Sequence, residues 1–460
     1  MRQMAERIPI ANGKLPLRLL NSLRPLQPVA FNCPVAVNPE RDEDTMVVTS
    51  AKPLPRAAAP VDSARSLAAD VRRAAADQEA QGMVSPEIAT ALFENGLYSL
   101  LVPSEVGGGT QKGAATPREV LDVLEEISAA DGSTGWALMA SMAGMGAIYS
   151  GLPAAGVARL LESGNPITAG ESAPTGTARS VPGGYVVSGR FRYASGSNAA
   201  GWFNGSYVLV DDEGRPVQDE RGARTIVSGL VPRADVELLG NWDVLGLVAT
   251  ASVDYQITEK LIPDELVRQT EFQRGDELHR ASVRSLTCLA HTGVALGLMR
   301  GALDEFASFA RSKSRPPGGL LARQDAVQRD FAQWRAQYRA ARGFALDAFE
   351  ELRQVIASGQ KATPELEADC RLAASHAVYT ATEITRDIYL ASGGDGLRNG
   401  PDNWLQRFFR DAHGASQHML TAAHVYIEAG RILLDPPGLP AAHKRIFAQV
   451  FAPPIVYEDA

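Results

Sequence analysis

The apolar residues of this chain change their period twice, and that limits its fold more than any other feature. From Asp62 the repeat is helical: in DSARSLAADVRRAAADQEAQG, Leu67, Val71 and Ala75 recur at i, i+4 and i+8, with Asp62 or Ser63 as a cap. Ser85 to Gly96 predicts a second helix closed by Asn95-Gly96, and Pro117 opens a third, interrupted near Asp131-Gly132. Around Thr168 the period shortens to two. GGYVVSGRFRYASGS alternates, and GWFNGSYVLVDD, RTIVSGLVP, VELLGNWDV and SVDYQITEKLIP follow with turn residues between them, predicting short strands of antiparallel character. From about His279 to Asp435 the helical period returns, with Phe331, Trp334, Tyr338, Ala341 and Ala345 on one face. Helix, strand and helix in separate blocks exclude a βαβ repeat and predict an α+β chain. The expected boundaries are a helical domain over 61–168, a β domain over 169–277 and a helical bundle over 278–435.

What flanks these blocks differs from them. Residues 1–60 carry nine prolines and no sustained periodicity, and five basic residues face one acid in the first thirty. This predicts a disordered leader, with a transit-like or membrane-touching amphipath as the alternative. Residues 436–460 are expected to form a tail.

Several function classes are excluded on composition and motif. The net charge of −8 and the lack of a basic run interleaved with aromatics argue against nucleic acid. No uninterrupted run of 18 apolar residues predicts a membrane span. Cys33, Cys288 and Cys370 lie far apart with no CxxC, which suits reduced thiols and a cytoplasmic protein. Gly144-Met-Gly146 lacks the third glycine of a nicotinamide fingerprint and sits in a helical apolar segment, where packing explains it. No P-loop and no GxSxG elbow is present. His413, His418 and His424 are spaced by five and six residues rather than four, so no metal site is expected.

Four segments, in order, carry a family likeness: GLYSLLVPSEVGGG (96–109), LEEISAADGSTGWAL (124–138), SAPTGTARSVPGGYVVSGRFRYASG (172–196) and LASGGDGLRNGPDNWLQRFFRDAHGASQH (390–418). Together they resemble the acyl-CoA dehydrogenase fold. The resemblance implies an N-terminal helical domain, a central antiparallel β-barrel domain and a C-terminal four-helix bundle. A dehydrogenase of this family needs a carboxylate base to take an α-proton beside a thioester. The two positions where the family carries that base fall here on Met419 and near Thr287 and Cys288. Neither is a carboxylate.

His418 stands beside the first of these positions, an arrangement similar to the flavin-dependent monooxygenases that share the fold. The resemblance implies an oxygenase that hydroxylates a small aromatic or heteroaromatic molecule through a flavin C4a-hydroperoxide. It would use O₂ and reduced flavin (FMNH₂ or FADH₂) supplied by a separate NAD(P)H:flavin reductase, and would assemble as a homotetramer. An acyl-CoA dehydrogenase, an N-hydroxylase of amines or amino sugars, and a silent scaffold are the alternatives. The resemblance makes His418 the acid–base group and gives Ser195 a hydroxyl contact to flavin N5. It places Tyr193 beside the flavin ring, with Ala173, Thr175 and Gly176 supplying backbone contacts. Arg315, Gly393 and Gly394 would hold phosphate, usually across subunits, and His291, Met419 and Trp136 would line the substrate pocket. Arg410 and Asp411 are expected to pair with each other and orient the last helix. In one place the chain departs from the family: GNWDVLGLVATASVDY has Val248, Ala249 and Ala251 where relatives carry an Arg and two Gly. The conformation of that loop is therefore open.

Overall fold

The computed structural model describes residues 53–220, 222–269 and 273–435. Most of the predicted leader, all of the predicted tail and Cys33 lie outside them. The last residues assigned to the leader instead pack: Leu54 and Ala57 are buried, and the Pro55 carbonyl accepts a hydrogen bond from Ser99 Oγ at 2.6 Å. Two apolar side chains among the prolines suffice to dock this stretch.

Local chemistry sets the helix starts. Helix α1 (Pro60–Gln81) begins at Pro60, two residues before the predicted cap, because a proline at N1 lacks only a donor the helix would leave unpaired. It buries Ala64, Val71 and Ala75 and ends at Gly82 with φ +72°. Ser85 caps α2 (Pro86–Glu94), and a Thr116–Glu119 capping box starts α3 (Pro117–Ala130). The interruption expected near Asp131 is one residue long. Asp131 ends α3 and its carboxylate accepts from Thr134 N at 2.8 Å to cap α4 (Gly132–Gly151). A β-carbon at Gly146 would lie 2.5 Å from the Leu101 carbonyl oxygen, so this glycine serves close packing. Helix α5 (Ala154–Glu162) leads to the strands.

The sheet contains β1 (Thr168–Val181), β2 (Gly184–Ala194), β3 (Trp202–Val210), β4 (Ile226–Pro232), β5 (Glu237–Leu238) and β6 (Val253–Pro263), in the order β4-β3-β1-β2-β6-β5. It corrects the expectation of an antiparallel barrel. The β1–β3 pairing is parallel, because the chain leaves β2 and returns to the far side of β1. The sheet is open, with β4 and β5 at its edges. β5 pairs over only two residues, and the loop after it is held by a helix instead.

The second helical block comprises α6 (Glu277–Ala281), α7 (Val283–Ser312), α8 (Asp325–Ala357), α9 (Pro364–Ser392), α10 (Trp404–Ala415) and α11 (His424–Leu434), with a short β7–β8 hairpin (Ser314–Arg315, Gly319–Leu320) after α7. Three helices are long, and the shorter α10 and α11 both pack on α9. Trp334, Tyr338, Ala341 and Ala345 bury one face of α8, as the period predicts. Helix α7 carries a window apolar enough to cross a membrane, yet 89% of that window is buried inside the protein. It packs against α3, α4, α8, α9 and α10 and forms the centre of the helical core.

Candidate active site

The site forms where α4, α7, the end of β2 and the turn after α10 meet. A register shift between Phe191 and Ala194 breaks the β2–β6 ladder. Within it Tyr193 takes φ +60°, uncommon for a tyrosine, and its side chain is 62% exposed. Its ring meets Trp242 edge-on at 6.2 Å. Gly196, at φ +75°, then lets the turn close on α4, where a β-carbon would lie 2.9 Å from Ser141 Oγ. Ser195 is thereby fixed beside Trp136, whose Nε1 donates to Ser195 Oγ at 3.1 Å.

Ser195 belongs to a chain of hydroxyls whose direction can be worked out. The Leu247 carbonyl can only accept, and Thr250 Oγ1 donates to it at 2.8 Å. Thr250 therefore accepts from Ser252 at 2.6 Å, and Ser252 in turn accepts from Ser195 at 2.7 Å. Trp136 donates into the other end. Ser195 has spent its hydrogen and keeps one acceptor lone pair, so it presents an acceptor to a neighbouring N–H or O–H. Nothing in the sequence reading singled out Ser252 or Thr250. The signal was there, as the run Thr-Ala-Ser in the segment that departs from the family.

Beside Trp136 lie two histidines. The rings of His291 and His418 are 4.3 Å apart, and Trp136 meets them edge-on at 5.2 and 5.8 Å. His291, on α7, is 3% exposed, and its Nδ1 bonds the Thr287 carbonyl at 2.8 Å. His418 is half-buried at the start of the 419–421 turn, where its Nδ1 accepts from Leu420 N at 3.3 Å. Burial pushes His291 down to about 4. Burial, and then His291 itself, hold His418 well below the ordinary histidine value. Both are neutral at pH 7. Met419 is 48% exposed, and Cys288 is buried with its thiol pushed up to about 11 by burial. Neither offers a base.

Asp411 positions the loop that carries the hydroxyl chain. It does not pair with Arg410 as expected. Arg410 instead bonds Glu79 at 2.6 Å and the Leu245 carbonyl at 2.9 Å, while Asp411 Oδ1 accepts from Leu247 N at 2.6 Å. Burial, then the neighbouring Asp131 carboxylate, raises Asp411 to about 7. The open question of loop conformation is settled by strain: Leu247 and Ala251 adopt φ +57° and +46° without being glycine.

The remaining predicted residues fall into two further groups. Arg315 donates to the Ser392 carbonyl and lies over Gly393, where a β-carbon would be 2.7 Å from its Nη2, and Gly394 follows in the same turn. Only glycine at 393 leaves that guanidinium in place. On β1, Thr175 Oγ1 donates to the Arg190 carbonyl at 3.1 Å and Ala173 is half-buried. Gly176 packs within the sheet, since a β-carbon there would meet Tyr207 at 2.5 Å, so packing accounts for that glycine.

The acyl-CoA dehydrogenase N-terminal domain matches residues 57–154, and the acyl-CoA dehydrogenase C-terminal domain matches residues 289–423. Indole-3-acetate monooxygenase from Pseudomonas putida is 28% identical over 367 residues, 78% of this chain and 90% of that protein. The oxygenase subunit HsaA of a flavin-dependent monooxygenase from Rhodococcus jostii strain RHA1 is 26% identical over 372 residues, covering 76% of this chain and 91% of the relative. In fold the chain is similar to XiaF from Streptomyces sp., solved with FADH₂ and glycerol, at a TM-score of 0.74 and 21% identity, covering 83% of this chain and 96% of that one. The chain belongs to the acyl-CoA dehydrogenase family, and within it stands with the flavin-dependent monooxygenases.

Proposed function

We propose that this protein is the oxygenase component of a two-component flavin-dependent monooxygenase that hydroxylates a small aromatic or heteroaromatic substrate. The observation that carries this reading is the meeting of Trp136, Ser195, His291 and His418 at one place, with no carboxylate at either position where a dehydrogenase of this family holds its base. The named activities of the relatives fit this reading rather than the acyl-CoA dehydrogenase or N-hydroxylase alternatives.

The residues suit a flavin. Ser195 offers an acceptor, as the N–H of a reduced flavin ring requires, while Tyr193 and Trp242 present aromatic surface beside it. Arg315 over Gly393 suits an anionic phosphate end. Reduced flavin, when bound, supplies the electrons that activate O₂ for transfer of one oxygen atom to the ring. His418 Nδ1 accepts from the backbone, so the proton of its neutral imidazole sits on Nε2, placed to be donated to a reacting oxygen. Trp136, itself buried, walls one side of that imidazole.

Arg315, Gly393 and Gly394 form a cluster of their own, and we assign them to the flavin of a neighbouring subunit in a homotetramer. A separate NAD(P)H:flavin reductase supplies the reductant, and the protein is cytoplasmic. To test the activity, the purified full chain is given chemically reduced FMN or FAD, ¹⁸O₂ and a panel of phenols and indoles. One ¹⁸O atom in a hydroxylated product is expected. Oxidation of acyl-CoA thioesters without O₂, and no labelled aromatic product, would overturn the reading.

A further inference from the structure

We propose that His291 Nε2 is the acceptor that reads the substrate, receiving an O–H or N–H carried by the aromatic nucleus. This deepens the monooxygenase reading and rests on it. The Thr287 carbonyl can only accept, so the hydrogen of the His291 ring sits on Nδ1 and Nε2 keeps a bare lone pair. That atom is fully buried and has no hydrogen-bond partner. Leaving a buried acceptor unpaired is costly, and a ligand donor recovers that cost on binding.

None of the surrounding residues supplies the missing donor. The Trp136 N–H is committed to Ser195, and the Ser195 hydrogen is committed to Ser252. His418 carries its proton on the opposite nitrogen from His291, and its ring lies 4.3 Å away without bonding His291 Nε2. The two imidazoles are thus complementary: one is an acceptor and the other a donor, both set by backbone contacts. Burial keeps His291 neutral above about pH 4, so the lone pair persists at working pH. Trp136, edge-on to both rings, gives the aromatic body of the substrate an apolar wall. A phenol or an indole satisfies the acceptor. An aromatic of the same shape without the hydrogen leaves it unpaired, and sites that bond a substrate hydrogen reject such analogues strongly.

The test uses calorimetric titration of the full chain with indole and with benzothiophene, which matches indole in shape and lacks the donor. The apolar effect alone favours benzothiophene, so the expected result runs against it. Indole binds at least about tenfold tighter to the wild type. His291→Leu brings the ratio to one or below, and His291→Gln, whose amide oxygen can accept, restores part of it. Equal or reversed affinities in the wild type, or no indole binding at millimolar concentration, overturn the proposal. So does an unchanged ratio in His291→Leu, which means that Nε2 is served by water only. If the leucine variant does not fold, the wild-type ratio and the glutamine variant decide. Because no flavin is added and no product is read, the outcomes separate from those of the function test. A chain that discriminates but forms no hydroxylated product keeps this inference and loses the monooxygenase reading. One that hydroxylates an aromatic without discriminating loses only the inference.

Discussion

At the residue scale, function depends on which nitrogen holds a proton. His418 and His291 sit 4.3 Å apart and remain neutral because burial, and for His418 its neighbour as well, penalises the imidazolium. Both values lie below that of an unfolded histidine. Each group's stability contribution is therefore present above about pH 6.5, and is lost as pH falls toward the folded values while the unfolded chain takes up the protons. His418→Ala is expected to lower hydroxylation about 10²-fold or more, the usual scale for removing an acid–base group, with flavin affinity retained. The same variant should lose less stability than wild type between pH 6.5 and 4.5, measured by urea unfolding. Wild-type turnover in His418→Ala removes the residue from the chemistry.

Among the elements, the loop from Leu245 to Ser252 matters most. It bears Thr250 and Ser252, is tied to α10 through Asp411 and Arg410, and bonds Ser133 at the start of α4 through Ala249 N at 3.3 Å. These anchors hold Ala251 at φ +46°, a conformation that costs a residue with a β-carbon about 1 kcal/mol. Ala251→Gly should therefore raise the urea midpoint by the equivalent of roughly 0.5–1 kcal/mol with an unchanged m-value. An equal or lower midpoint shows that the loop is not strained at this residue. Relatives' glycines at this place gave the sequence its only warning. The anchors could not be read beforehand, because Asp411 and Leu247 are 164 residues apart and nothing local pairs them.

On the scale of the whole molecule, α7 unites the two helical blocks and also delivers His291 to the site. The outer surface is less complete. Leu390 on α9 is 66% exposed, Leu397 in the turn after it 71%, and Ile427 on α11 54%, an amount of open apolar surface that suits association. The homotetramer we assign covers such surface and brings Arg315 and Gly393 to a neighbour's flavin. Light scattering of the flavin-loaded protein at micromolar concentration should give four times the 49.0 kDa chain mass. A monomeric mass sinks the assignment. Arg315→Ala should then weaken flavin binding about tenfold, while tetramer formation persists.

Much of this protein was legible in its sequence, because much of it is local. Period and caps operate over a few residues, so the helix–strand–helix order, the starts of α2 and α3, a break near Asp131 and the buried face of α8 could be read directly. The family likeness singled out Ser195, His418, His291 and Trp136 separately. Tertiary structure alone decided that these four meet, since they come from the turn after β2, the turn after α10, α7 and α4. It also decided that β1 and β3 run parallel, that the sheet stays open, and that Arg410 and Asp411 seek different partners. The physical reason is common to all of these. Strand pairing, burial and the direction of a hydrogen bond depend on residues brought together by the packed core, and apolar periodicity fixes which face of an element is buried without naming what that face will meet.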